Sequence, residues 1–328
     1  MTGMRALVTG ATGFVGSHLA ELLVSQGVDV VAPVRNANRL RWAAGLDARI
    51  VQTSYSDREA LRSLMADRDT IFHLAGLTKS HIPGPFYRGN LLPTAALAEA
   101  AAADGRHRRF ILVSSLSAAG SSTPGRPRRE GDPSAPVTPY GWSKLRAEEA
   151  LLKYQDRLEI AIVRPPSIYG PRDSEAFPLF LLGSLGLVVT PNGVDPLLSM
   201  IRVGDLVEGI WQLAQAPSYR QPVYFMAHSE QQRLNDLSRL MAAYFGHRPV
   251  EVKIPLCLLE MVGWAGWAAG ALTGNSIMMD RYKVRDFRQP AWTCDPTAVE
   301  AEHGIRAETP FHEGMVETIE WYRREGWL

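Results

Sequence analysis

The stretch TGATGFVG, Thr9 to Gly16, follows the apolar run ALVTG at 6–10 and opens a helical pattern over 14–26 that ends near Gly27. Gly10, Gly13 and Gly16 stand where a strand turns sharply into a helix, which needs a backbone free of side chains. A helix start reached this way offers unpaired N–H groups and a positive dipole end to a diphosphate. As the first turn of a strand–helix–strand unit, the triplet points to dinucleotide binding.

Outward from this turn, short apolar β-branched runs alternate with helical patterns. DVVAPV at 29–34, ARIVQT at 48–53, TIFHLAG at 70–76, RFILVSS at 109–115 and EIAIVRPP at 159–166 read as further strands, the last stopped by its prolines. Continuous apolar strands separated by helices imply a parallel sheet covered on both faces. Past residue 170 the alternation loosens. RVGDLVEGIWQLAQ at 202–215 reads as a helix and PVYFMA at 222–227 as a return strand. The expected division is a nucleotide-binding domain over 1–170, rejoined by 201–228, with 171–200 and 229–328 forming a smaller substrate-binding lobe. The loop GSSTPGRPRREGDPSAPVTP at 120–139 is long enough to be a functional rim.

A formal net charge of +1 gives no reason to expect a nucleic-acid partner. The arginine clusters RHRR at 106–109 and RPRR at 126–129 read as a solvated turn and as a possible contact for an anionic substrate group. Cys257 and Cys294 make no disulfide framework, which fits a reducing cytoplasm. The histidines show no zinc-type spacing, so no metal is expected. MTGMR runs directly into an apolar strand, leaving no room for a signal peptide. The run IPLCLLEMVGWAGWAAGALTG at 254–274 is about a membrane span long with one charge, Glu260. Its glycines and Pro255 favour a helix packed over the substrate lobe, with membrane contact the alternative.

The second strand ends in APVRNANRLR, with Val34 where an acid would bind ribose hydroxyls and Arg35 next to it. A guanidinium there suits a 2′-phosphate, with Arg39 or Arg41 assisting, so NADP is favoured over NAD. Further along, TPYGWSK at 138–144 places Tyr140 one helical turn before Lys144. That spacing arises by chance, but the only lysines are Lys79, Lys144, Lys153, Lys253 and Lys283, and Lys144 alone has a tyrosine four residues earlier. A phenol moves a proton at neutral pH only if its surroundings tune it, and a neighbouring ammonium favours the phenolate.

TGATGFVG, FHLAG at 72–76, GNLLPT at 89–94, ILVSS at 111–115, YGWSK, RPPSIYGPRD at 164–173, IRVGDL at 201–206 and TIEWYRREGWL at 318–328 occur together in order. In this the sequence resembles the extended short-chain dehydrogenase/reductases, the NAD-dependent epimerase/dehydratase group. The resemblance implies an α/β fold, a Rossmann-type doubly wound parallel sheet with a smaller C-terminal substrate-binding lobe. It implies Tyr140 as acid/base, Lys144 holding the nicotinamide ribose and Ser115 hydrogen-bonding the substrate oxygen. Thr12, Phe14, Val15, Leu74, Ala75, Gly76, Asn90, Val113, Pro166 and Ser167 would join Gly10, Gly13 and Arg35 around the cofactor. Lys79, Ser117, Pro165 and Arg202 are substrate candidates; Ser114 is read as structural, a role open to Ser117 also. Family members often dimerise through helices corresponding to about 86–104 and 139–155.

Departures from the family pattern narrow the substrate. SSLSAAG lacks the acidic pair of sugar-nucleotide dehydratases, and Ala119 precedes Gly120 where epimerases usually have tyrosine. Leu198 takes the place of a diphosphate-binding arginine unless Arg202 substitutes. SSLSAAG, PVRN and the apolar run are similar to dihydroflavonol-reductase-like and 3β-hydroxysteroid-dehydrogenase-like members. The leading expectation is an NADP-dependent alcohol dehydrogenase or ketone reductase for an apolar or ring-shaped substrate. An NDP-sugar epimerase with tightly bound NAD is the alternative, and a catalytically silent NADP-sensing regulator the third reading.

Overall fold

Strand β1 (Arg5–Thr9) sends Ala6 and Val8 into one apolar layer and Leu7 into the other, and all three are fully buried. A strand buried on both faces needs helices on both sides. The chain supplies α1 (Phe14–Ser25), β2 (Asp29–Val34), β3 (Arg49–Gln52), α2 (Arg58–Met65) and β4 (Thr70–His73). Next come α3 (Pro83–Phe86), a π-helical turn (Tyr87–Leu91), α4 (Leu92–Ala101), β5 (Arg108–Val113), α5 (Leu116–Ala119), α6 (Pro139–Leu152) and β6 (Leu158–Arg164). The computed structural model describes residues 3–273 and 281–328.

The later elements are β7 (Ser167–Tyr169), α7 (Phe177–Ser184), β8 (Leu187–Pro191), β9 (Leu197–Arg202), α8 (Val203–Gln215), β10 (Val223–Phe225) and β11 (Gln231–Arg233). They continue with α9 (Leu234–Tyr244), β12 (Val250–Ile254), α10 (Leu256–Thr273), α11 (Arg281–Phe287), β13 (Ala291–Trp292), α12 (Thr297–His303) and α13 (Phe311–Arg324). Strand β10 returns to the first sheet, as the run PVYFMA suggests. That sheet has seven strands in the order β10-β6-β5-β4-β1-β2-β3, and every pairing in it is parallel. Strand order reverses between β1 and β4, so a crevice opens at their C-terminal ends, where such sheets bind ligands.

Strand β9 gathers a second sheet, parallel to β7 and β13 and antiparallel to β11, while β8 pairs with β12. The chain's end packs on this region as an aromatic cluster. The Tyr322 ring stacks on Trp327 at 5.4 Å, meets Phe177 and Phe180 edge-on, and its hydroxyl donates to the Asp173 carbonyl at 2.6 Å.

Two expectations are refined. The RHRR cluster is a solvated turn only at Arg106 and His107, which are exposed; Arg108 is 2% exposed. Its guanidinium donates to the carbonyls of Met65, Arg68 and Ala101 and to the Asp104 carboxylate, because β5 begins beneath the ends of α2 and α4. Helix α10 lies against α11 and buries Leu259 and Gly263, while its outer face leaves Leu258, Met261, Val262 and Trp264 exposed. Gly274, the last residue of the apolar run, lies outside the described residues. No described helix is long and apolar enough to cross a membrane.

Candidate active site

The glycine turn after β1 is shaped by exclusion. Gly10 has φ +79°, and a Cβ there would stand 2.7 Å from the Ala75 nitrogen. A Cβ on Gly16 would overlap the Gly10 carbonyl oxygen. Gly13 donates to that oxygen at 2.8 Å and caps α1 without a side chain. The first turn of α1 therefore presents its N–H groups to the crevice, a cradle that fits a dinucleotide diphosphate. Thr12, Phe14 and Val15 are partly exposed along this cradle.

Across the crevice, β4 ends in a buried hydrogen-bond chain that sequence reasoning missed. Thr9 Oγ1 accepts from the Leu74 and Ala75 amides at 3.2 and 3.1 Å and meets His73 Nδ1 at 2.6 Å. His73 Nε2 lies 2.9 Å from Thr94 Oγ1, which donates to the Asn90 carbonyl. Burial, with the Lys144 charge adding to it, pushes His73 down to about 3, so its imidazole stays neutral. Asn90 sits inside the π-helical turn rather than at a helix start. Its Oδ1 accepts from Leu77 N at 2.7 Å, and its Nδ2 donates to the Leu77 carbonyl and to Ser143 Oγ. Asn90 thus joins the Leu74–Gly76 loop to α6, and a Cβ on Gly76 would lie 2.9 Å from Asn90 Oδ1 and 3.9 Å from Lys144 Nζ.

The catalytic candidates meet where β5 gives way to α5 and α6. Ser115 caps α5, its Oγ accepting from Ser117 N at 3.1 Å. Thr138 caps α6 through the Gly141 amide, and Pro139 at the first turn sets the entry of Tyr140. Gly141 allows this approach, since a Cβ there would collide with the Ser117 carbonyl. Tyr140 keeps partial exposure, with Phe86 6.0 Å away ring to ring. Burial of its hydroxyl pushes the phenol up to about 12; the Ser115 hydrogen bond opposes this, and the Glu175 and Asp286 carboxylates add to it. Lys144 is buried one helical turn later, with Nζ donating to the Val113 carbonyl at 2.7 Å. Burial lowers its ammonium to about 8 against the raising influence of Glu148.

Behind these groups lies a second unpredicted feature. Glu148 on α6 forms a buried two-point ion pair with Arg164 at the end of β6, at 2.6 and 3.1 Å, and accepts from Ser114 Oγ. Ser114 is structural, as read from sequence. Opposite charges sixteen residues apart carry no visible pattern, so only the fold brings them together.

The substrate candidates separate. Pro165 is buried and its carbonyl accepts from Leu116 N at 2.8 Å, which braces the Ser115 turn. Ser117 likewise braces that turn. Arg202 is engaged by Glu317 at 2.7 Å and Asp205 at 3.2 Å, while its Nε is buried with no hydrogen-bond partner. Lys79 lies 3.5 Å from Glu175, which Asp173 positions by accepting from the Glu175 and Ala176 amides. In the 120–139 loop, Arg128 donates to the carbonyls of Ser121 and Pro133, and Arg129 pairs with Asp295. These two cations fold the loop rather than await an anion; Arg126 remains exposed. Arg35 is exposed beyond β2, close enough to Tyr55 to bear on its phenol, while Val34 is buried. Pro166 and Ser167 start β7 with partial or full exposure.

A diphosphate cradle beside a Ser–Tyr–Lys cluster is matched by the family model for the NAD-dependent epimerase/dehydratase family, which covers residues 6–225. The chain belongs to that family. It is an extended short-chain dehydrogenase/reductase, an enzyme using a nicotinamide dinucleotide. A ceramide reductase from Caulobacter vibrioides (strain NA1000 / CB15N) is 29% identical over 98% of this chain and 95% of its own length. A dTDP-glucose 4,6-dehydratase from an Actinoplanes species is 28% identical over 98% of both. The structure of MoeE5 in complex with UDP-glucose and NAD superposes with TM-score 0.76 at 25% identity, over 98% of this chain and 99% of that one. Epimerase/dehydratase relatives thus include enzymes of several reaction types, and the residues around Tyr140 must distinguish them.

Proposed function

We propose that this protein is an NADP-dependent ketone reductase or alcohol dehydrogenase acting on an apolar substrate. The observation that carries the reading is the meeting of Tyr140 with Ser115 at the crevice, with Lys144 one turn further along α6, an arrangement suited to giving a proton to a carbonyl oxygen. The cofactor would supply or accept the hydride. Tyr140 donates the proton, Ser115 Oγ holds the reacting oxygen, and Lys144, steadied by the Val113 carbonyl, holds the ribose and replenishes positive charge near the phenol. The diphosphate would rest on Gly10, Gly13 and the start of α1.

Arg35, exposed next to the buried Val34, supports a 2′-phosphate and hence NADP, with NAD the alternative. Residues 171–200 and 229–328 would hold the substrate. The ceramide reductase relative supports an apolar one, and SSLSAAG without acids argues against dehydration. Engagement of Arg202 by Glu317 and Asp205 weakens the sugar-nucleotide epimerase alternative. Exposed Leu92 on α4 and Trp142 on α6 support a homodimer through those helices, and two free cysteines support a cytoplasmic setting. Turnover of NADPH and NADH with a ketone panel, set against a UDP-sugar panel, tests the reading. NADPH-dependent ketone reduction is expected; sugar isomerisation without net cofactor turnover would replace it with the epimerase.

A further inference from the structure

Helix α10 presents an apolar stripe to solvent. Leu258, Met261, Val262 and Trp264 are 47%, 67%, 47% and 55% exposed, and Cys257, Ala265 and Ala268 fill the same face with no charged group among them. Other large apolar side chains of the same lobe are also exposed, Val250 and Val252 of β12, Leu181 of α7 and Leu185 just after it. A soluble surface seldom leaves so many large apolar side chains together unless something covers them.

The stretches flanking this face are cationic. Lys253 on β12 and Lys283 and Arg285 on α11 are exposed. The nearby acids on β12 and α10 are already matched, Glu251 by Arg239 at 2.6 Å and Glu260 by Arg288. The Arg281 guanidinium lies over the rings of Trp264 and Trp267 at 5.4 and 4.8 Å, tying α11 to α10. An exposed apolar helix face carrying a tryptophan, with basic residues on the adjoining elements β12 and α11, suits contact with an anionic lipid–water interface. Contact between two copies across this face would bring the α11 cations of both toward each other; anionic headgroups neutralise them.

Helix α11 is near enough to the reaction centre for its Asp286 carboxylate to act on the Tyr140 phenol. The segment following it is hydrogen-bonded to the loop after α5, where Ser121 Oγ donates to Gln289 Oε1 at 3.0 Å and Ser122 N to the Ala291 carbonyl at 3.0 Å. A surface seated on α10 therefore lies near the active site.

We propose that α10 and α11 form an interfacial docking surface for an anionic phospholipid bilayer, turning the mouth above Tyr140 toward the membrane. Docking stands on the surface itself; only its use, delivery of an apolar substrate from the bilayer, rests on the reductase reading. The test is sedimentation of the full-length protein with vesicles, without substrate. Mixed phosphatidylglycerol–phosphatidylcholine vesicles should carry the protein down and shift its tryptophan emission to the blue; pure phosphatidylcholine should do so weakly. Leu258→Ser with Met261→Ser should weaken partitioning by about tenfold or more while NADPH binding is unchanged. Lys253→Glu with Arg285→Glu should remove the preference for anionic vesicles and serves as the second probe if the first variant does not fold. Wild-type protein remaining in the supernatant with both vesicle types would overturn docking, as would a serine variant that binds vesicles normally or that changes only the oligomeric state. Vesicle binding without reduction of any apolar ketone would leave docking in place and remove the substrate reading alone.

Discussion

Removing the Glu148 carboxylate should expose how far the catalytic helix depends on a charge the sequence does not advertise. Glu148 and Arg164 side chains are 2% and 5% exposed, and the carboxylate takes two bonds from the guanidinium and one from Ser114. Glu148→Ala leaves a buried guanidinium without its partner, which costs about 3–5 kcal/mol. An unfolding entropy of about 2.1 cal/mol/K per residue over the whole chain converts this to a fall in Tm of about 4–7 °C. Changing both partners, Glu148→Met with Arg164→Met, should recover most of the loss, since no unpaired charge remains. The same substitution has a kinetic signature. Glu148 is the group that raises Lys144 against burial, and Lys144 loses its proton near pH 8. In wild type kcat/KM should fall as pH rises through about 8, the side on which Lys144 becomes neutral. In Glu148→Gln this break should move to lower pH. Calorimetry and a pH–rate profile check the two parts. A destabilisation below about 1 kcal/mol, with an unmoved break, would refute the reasoning.

Other consequences follow from the crevice. His73 stays neutral in the fold, with a folded value of about 3 against 6.5 when unfolded. The unfolded chain thus binds the extra proton in this window, and stability falls as pH drops from 6.5 toward 3, by about 2 kcal/mol at pH 5. Denaturant unfolding of wild type against His73→Gln isolates this, because Asp173, raised to about 6 and acting in the opposite direction over about pH 6 to 4, is common to both. Gly16→Ala places a methyl against the Gly10 carbonyl; cofactor affinity should fall about tenfold or more, measured by NADPH fluorescence, with little change in far-ultraviolet circular dichroism.

Much of the fold was legible because its signals are local. The runs at 29–34, 109–115 and 159–166 are apolar at successive positions, which a strand covered on both sides requires, and the glycine turn fixed where the first one ends. The sheet order then follows from right-handed crossovers. Tyr140, Lys144 and Ser115 could be named from spacing, lysine scarcity and resemblance. The groups that support them could not. His73 touches Thr9 and Thr94, sixty-four and twenty-one residues away, and reads in sequence as one scattered histidine among eight. Arg108 reads as part of a basic turn until carbonyls from two helix ends surround it. Pro165 and Arg202 sit in the right motifs yet are committed to Leu116 and to Glu317, contacts that no periodicity encodes. Tyr140's raised value also depends on Glu175 and Asp286, distant in sequence and close only in the folded chain.

The central claim is that Tyr140 moves the proton while other residues hold the cofactor. Tyr140→Phe keeps the ring against Phe86 and removes only the hydroxyl. Ketone reduction by this variant, followed through NADPH absorbance alongside a direct NADPH-binding titration, should fall by about a thousandfold or more with affinity for NADPH nearly unchanged. Near-normal turnover in Tyr140→Phe would contradict the account.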